Sequence, residues 1–410
     1  MTLGRATGFD ERARVQGLFV VFGFSIAAFF PFLALYYREH HGLGPSQIGL
    51  IFLVAGLTRT VASPLWGHFA DTRLGRLTAL QIGLLGAAIA ALWLNVVDGL
   101  FLVAVATAAH SAFMVAHGSN LDAIVLAHLG EGHESGYGRI RAWESVTYAL
   151  GSLMFGAILQ SYGLRWAMPC YAASIVLALV WSTTIERDRG APLQESRRLG
   201  AVGAVFKEAP RFWGFLAAVL LVWTGFNAAW FFISLRIADA GGGPLLIGIG
   251  VALGGLVEVP TMRMSSRLQE RYGLRKVYAA GCCLYAAGFL LWGSVGDPTI
   301  LSLLTMLEGA AFSLLFTTSV VIVGRLVPAH LYATGSSITQ MTGFGLGPII
   351  GGFTGGWAYE HLGAFPTYAG ASALALAAAV VAWFALSTPA LRDPAPAEPV
   401  IGLPELGQLP

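Results

Sequence analysis

The sequence predicts an all-α membrane protein: twelve transmembrane helices in two six-helix bundles. Three observations carry that reading. Of the 410 residues, 56% are hydrophobic and only 11% are charged, against about 25% charged in a soluble domain. The apolar residues fall into runs of about 20, the length that crosses a bilayer. Arg and Lys gather at alternate ends of those runs, the positive-inside pattern. An open strand in lipid would leave backbone groups unpaired, so each run is expected to be a helix. A net charge of +2 without a concentrated basic patch gives no reason to expect a nucleic-acid partner. Cys170, Cys282 and Cys283 lack metal-ligand spacing and read as packing residues, so neither metal nor cofactor is expected.

In chain order, residues 1–14 are polar with three Arg and form a cytoplasmic segment; no cleavable signal peptide is evident. The first bundle, 15–185, holds spans at 15–37, 47–69, 77–97, 100–124, 138–160 and 166–185. The first span carries Phe22, Ser25, Phe29, Phe32 and Tyr36 at helical spacing, either a stacking wall for substrate or ordinary packing. The second carries Arg59 mid-helix, with Ser63 and Trp66 on its face; it pairs with a carboxylate or contacts substrate. In the fourth, His110 and His117 lie seven apart, read as interior histidines or a proton relay, and Asp122 lies near the end.

The fifth span is the informative one. Arg141, Glu144, Ser145, Tyr148 and Ser152 fall at i, i+3, i+4, i+7 and i+11, one polar stripe beside Trp143 in an otherwise apolar helix. A charge at membrane depth costs about 2.5–3.5 kcal/mol on insertion scales, so it is expected to face a protein interior or a water-filled path. Arg141 contacts substrate through its planar fork, or pairs structurally with Asp122 or Glu144. Arg139, nearer the end, reads as a gate or anchor.

Residues 186–210 are the longest internal polar stretch and divide the spans six and six. The second bundle, 211–387, holds spans at 211–236, 246–266, 277–296, 299–324, 333–359 and 365–387. The seventh places Trp223, Asn227, Trp230, Phe231 and Ser234 on one stripe, with Asn227 and Trp230 the preferred substrate contacts. Glu258 and Glu308 lie well inside the eighth and tenth, with no basic residue in the same turn. Such carboxyls suit proton exchange; the alternative is a permanently protonated hydrogen-bonding group. Gln340 in the eleventh is a candidate polar contact, and the glycines of 343–352 read as close helix packing. The tail, 388–410, is Pro-rich and expected to be disordered. Pro64 and the basic, Gly-containing loop to Arg76 recur as Pro260 and the loop to Lys276, an echo between the halves.

Gly67-x-x-x-Asp71-x-x-x-Gly75-Arg76 resembles the loop signature of the major facilitator superfamily. Tyr137-Gly-Arg139-Ile-Arg141-Ala-Trp143 is similar to the fifth helix of its oligosaccharide:proton symporter branch and of the related phenylpropionate permeases. Tyr36-Tyr37-Arg38, Glu258 and Met306-Leu-Glu308-Gly also look like the phenylpropionate-type branch. The resemblance implies secondary transport of a small organic solute such as an aromatic acid, with protons as the coupling partner. It implies a sugar-type site at Arg141 with Asp122, which also joins the proton-coupling candidates. It implies that Asp71, Arg73, Gly75 and Arg76 form a cytoplasmic lock. Departures accompany it. The branch's tenth-helix His and following carboxylate correspond to Glu308 and Ala311, and residues 278–293 and 333–356 carry no Arg or Lys. Sugar or nucleoside symport and proton-driven export remain alternatives, and a non-transporting receptor a remote one. No enzyme constellation is found. The expected setting is a bacterial inner membrane, with both termini cytoplasmic and nothing requiring more than a monomer.

Overall fold

The computed structural model describes residues 11–129, 135–185 and 200–387. The expected cytoplasmic segment, most of the central stretch and the tail therefore lie outside the described residues. Among those described, every regular element is helical, as the lack of backbone partners in hydrocarbon requires. The long helices are α1 (Ala13–His41), α2 (Pro45–Leu74), α3 (Arg76–Leu94), α4 (Leu100–Leu129), α5 (Ser135–Tyr162), α6 (Leu164–Ser182), α7 (Phe212–Asp239), α8 (Pro244–Tyr272), α9 (Leu274–Ser294), α10 (Pro298–Leu326), α11 (332–361) and α12 (Ala364–Ala385). A short helix, Gly200–Glu208, precedes α7.

Ten of the twelve are long and apolar enough by themselves to cross a membrane. The other two are α5, which carries Arg139, Arg141 and Glu144, and α11, which carries a run of Gly, Ser and Thr. Large apolar side chains are bare on the outside of many helices, among them Phe101 at 77% and Phe384 at 71% exposure. In water such surface would be a liability; in lipid it is solvated.

Contacts divide the chain into two compact units. Among the described residues the first runs to Leu33 and resumes from Leu57 to Ile185; the second comprises Ala34–Gly56 and continues from Gly200. In the first, α1 packs on α5 and α6, and α3 on α4 and α6. In the second, α7 packs on α11 and α12, α8 on α10, and α9 on α10 and α12. The end of α1 and the start of α2 thus cluster with the second unit, across the linear division that the sequence suggests.

The internal echo is visible in the backbone. After α2, Gly75 adopts φ 75° and ψ 152°; after α8, Gly273 adopts φ 82° and ψ 153°. Both turns need the left-handed region that glycine enters without a Cβ clash. Each follows a helix with an interior proline, Pro64 in α2 and Pro260 in α8.

The glycine run of α11 acts as the sequence suggests. A Cβ at Gly351 would come within 3.0 Å of Ala228 N and Asn227 Cβ on α7, and closer still to the Thr224 carbonyl. One at Gly352 would meet Phe52 of α2 at 3.0 Å. The missing side chains let three backbones approach. We expect Gly351→Val to lower the thermal unfolding midpoint of the purified protein, with an overpacking cost of about 1–3 kcal/mol. A midpoint equal to wild type would contradict this packing.

Candidate functional site

The carboxylates of the second unit sit on a backbone-to-backbone crossing. Gly309 of α10 lies so close to Gly254 of α8 that a Cβ on it would strike the opposing main chain. Glu308, only 6% exposed, lies over Gly254. Glu258 is half-buried one turn further along α8. The crossing is tied by Thr305 Oγ1, which donates to the Gly250 carbonyl at 2.6 Å, and by Ser313 Oγ, which donates to the Glu258 carbonyl at 3.1 Å. Tyr285 of α9, fully buried, lies within electrostatic range of both acids. Among the described residues neither Glu258 nor Glu308 makes an ion pair. Two unpaired charges would be costly to hold together in low dielectric.

Other predicted contacts of this unit divide. Asn227 is buried and donates to the Trp223 carbonyl of its own helix at 2.7 Å. It stands at the α7–α11 packing seam. Trp230 is half-buried, stacked near Phe226 at 5.8 Å and tilted on Trp292 at 6.2 Å. Gln340 is exposed immediately before a π turn of α11, Met341–Leu346.

In the first unit, Glu144 and Tyr148 are half-buried, and Trp143 is 45% exposed. The stripe ends at Ser152, which is fully buried and donates to the Tyr148 carbonyl. The side chains of Asp122, Arg139 and Arg141 lie outside the described residues. Arg59 is exposed on α2 and acts electrostatically on His110. His110 Nε2 and the Tyr171 hydroxyl are 2.9 Å apart, and that hydroxyl also donates to Met114 Sδ at 3.2 Å. Phe29 is buried against both, 5.1 Å from the His110 ring and 5.0 Å from Tyr171. His117 stacks on Phe22, and Trp66 donates to the Ala112 carbonyl at 2.6 Å. In the α2–α3 loop, Asp71 and Arg76 stand 3.9 Å apart across Gly75, with Arg73 exposed.

Sequence reasoning missed a polar seam in the second unit, at the end where α1 meets α2. Arg38 donates to Asp239 Oδ1 at 2.5 Å, and Tyr359 donates to Asp239 Oδ2 at 2.6 Å. The Ser46 amide donates to Glu360 at 2.7 Å. Beneath these, a Cβ on Gly49 would lie 3.2 Å from the Gly356 Cα, and Phe52 meets Phe231 at 4.4 Å. Arg38 and Asp239 are 201 residues apart; no spacing rule links them. Among the described residues no group of three or more His, Cys, Asp or Glu is placed to hold a metal.

The chain matches the MFS_1 like family over residues 14–369. It belongs to that family. It is 28% identical over 348 residues to the maltose permease of Geobacillus stearothermophilus, covering 84% of this chain and 86% of the relative. It is 26% identical over 306 residues to a probable 3-phenylpropionic acid transporter of Escherichia coli (strain K12), covering 71% and 76%. The fold matches the nucleoside transporter NupG with a TM-score of 0.82 at 16% identity, over 93% of this chain and 100% of that one. The protein is therefore a multi-pass membrane protein and a secondary transporter of the major facilitator type, acting on small molecules.

Because Arg38 and Asp239 keep 29% and 39% side-chain exposure, their pairing is worth about 0–1 kcal/mol. Asp239→Asn should therefore leave the thermal midpoint nearly unchanged. It should accelerate thiol labelling of Ser46→Cys, in a background with the three native cysteines replaced by Ser, several-fold. Unchanged labelling would mean that the ion pair does not hold the seam.

Proposed function

We propose that the protein is a proton-coupled symporter that takes up a small organic solute, such as an aromatic acid, by alternating access. The carrying observation is the Glu258–Glu308 pair, two interior acids on the α8–α10 crossing that make no ion pair among the described residues. Protonation removes a buried charge and lets the loaded carrier reorient, since moving an uncompensated charge through low dielectric is costly. In this reading Arg141, Glu144, Asn227 and Trp230 contact the solute. Asp122 is a further proton-coupling candidate. The Asp71, Arg73, Gly75 and Arg76 loop locks the cytoplasmic side, with Arg59 and Arg139 as structural or gating charges. The Arg38–Asp239–Tyr359 seam closes the other side. The protein acts as a monomer in a bacterial inner membrane with both termini cytoplasmic, the side on which its Arg and Lys collect.

Uptake of a sugar is a second reading, favoured by the similarity to a maltose permease over most of both chains. Proton gradients applied in either direction to reconstituted vesicles separate uptake from export. Glu308→Gln is expected to abolish gradient-driven accumulation while sparing solute exchange. Equal loss of both activities would count against the coupling role.

A further inference from the structure

Four rings on three helices of the second unit form a closed cycle. Trp223 of α7 meets Phe312 of α10 edge-on, with centroids 5.6 Å apart at 84°. Phe312 stacks on Phe316 at 5.7 Å and 6°. Phe316 meets Phe344 of α11 at 6.3 Å and 65°. Phe344 returns to Trp223 at 4.4 Å and 49°. Trp223 is 4% exposed, Phe312 and Phe316 are half-buried, and Phe344 is 46% exposed. The cycle is thus closed at the tryptophan and open at Phe344.

The backbone is bent to make this box. The α11 helix widens into a π turn at Met341–Leu346, a feature frequent at functional sites. A Cβ at Gly343 would lie 3.0 Å from Trp223 Cδ1, and one at Gly347 would lie 2.9 Å from Trp223 Cβ. Ser337 and Gln340, both exposed, precede Phe344 at helical spacing on α11. A ring inserted there meets π faces and edges, the offset and edge-on arrangements that aromatic groups prefer. On α10 an acid, Glu308, lies one turn before Phe312.

We propose that Trp223, Phe312, Phe316 and Phe344 are the seat for a planar ring of the transported solute and determine a preference for ring-bearing over acyclic molecules. The seat takes the ring; any acidic end is held elsewhere. This inference rests on the transport reading above, but not on proton coupling.

The test is binding to the purified full-length protein at fixed pH without a gradient, read by thermal shift. The probe pairs are 3-phenylpropionate against hexanoate, and 2-phenylethylamine against hexylamine, so that the charge of the tail is not presupposed. Wild type should bind the ring-bearing member of a pair about tenfold more tightly, the scale of one or two aromatic contacts. Phe344→Leu and Phe312→Leu, which keep apolar bulk and so the fold, should bring that ratio near one while leaving the acyclic member unaffected. Phe344→Tyr should retain it. An unchanged ratio in both Leu variants overturns the seat, as does equal weakening of ring and chain, or a wild type that binds neither ring-bearing probe. A protein that shows the ring preference but does not accumulate solute along a proton gradient overturns the coupling and leaves the seat standing.

Discussion

Hydrocarbon offers a peptide group no hydrogen-bond partner and an ion no hydration. Both deficits shape this molecule. The first makes every described regular element a helix. The second makes each interior ionisable group a feature that needs a reason. In a soluble protein of this length Glu308 would be one acid among many. Here it is one of few, held at 6% exposure over a glycine of the neighbouring helix.

Close approach of backbones is the second consequence. Lipid tails are as apolar as leucine, so helices gain little from burying large side chains against each other and rely on fit and polar ties. Gly254 and Gly309 let α8 and α10 touch, and side-chain hydroxyls then bond to main-chain carbonyls across the crossing. The same device recurs where Gly351, Gly352 and Gly356 bring α11 onto α7 and α2. These contacts place the acids and the aromatic box on neighbouring faces of one compact unit. The small residues are therefore part of the functional architecture, although none carries chemistry of its own.

The two units use polarity differently. In the second, acids lie inside with rings around them, and a partly exposed ion pair ties the end where α1 meets α2. In the first, an exposed arginine on α2 neighbours a histidine that is already bonded to Tyr171. His110 is thus a packed polar group with a partner, in line with its reading as an interior histidine. Phe29 shares that cluster, with its ring against both His110 and Tyr171.

The sequence by itself determined the class, the helix count and the family. Those depend on run length, on Arg and Lys placement and on local motifs such as the loop ending at Gly75 and Arg76, all short-range properties of the chain. It also singled out Glu258 and Glu308, because a charge in an apolar run is conspicuous without any knowledge of its neighbours. Tertiary structure alone decided who meets whom. Arg38 finds Asp239 and Tyr359 from far along the chain, and Trp223 finds Phe312, Phe316 and Phe344 on two other helices. Aromatic residues are common in membrane helices, so periodicity cannot distinguish a ring that faces lipid from one that closes a box. That distinction is set by helix rotation and crossing, which depend on glycines and turns dispersed through the chain.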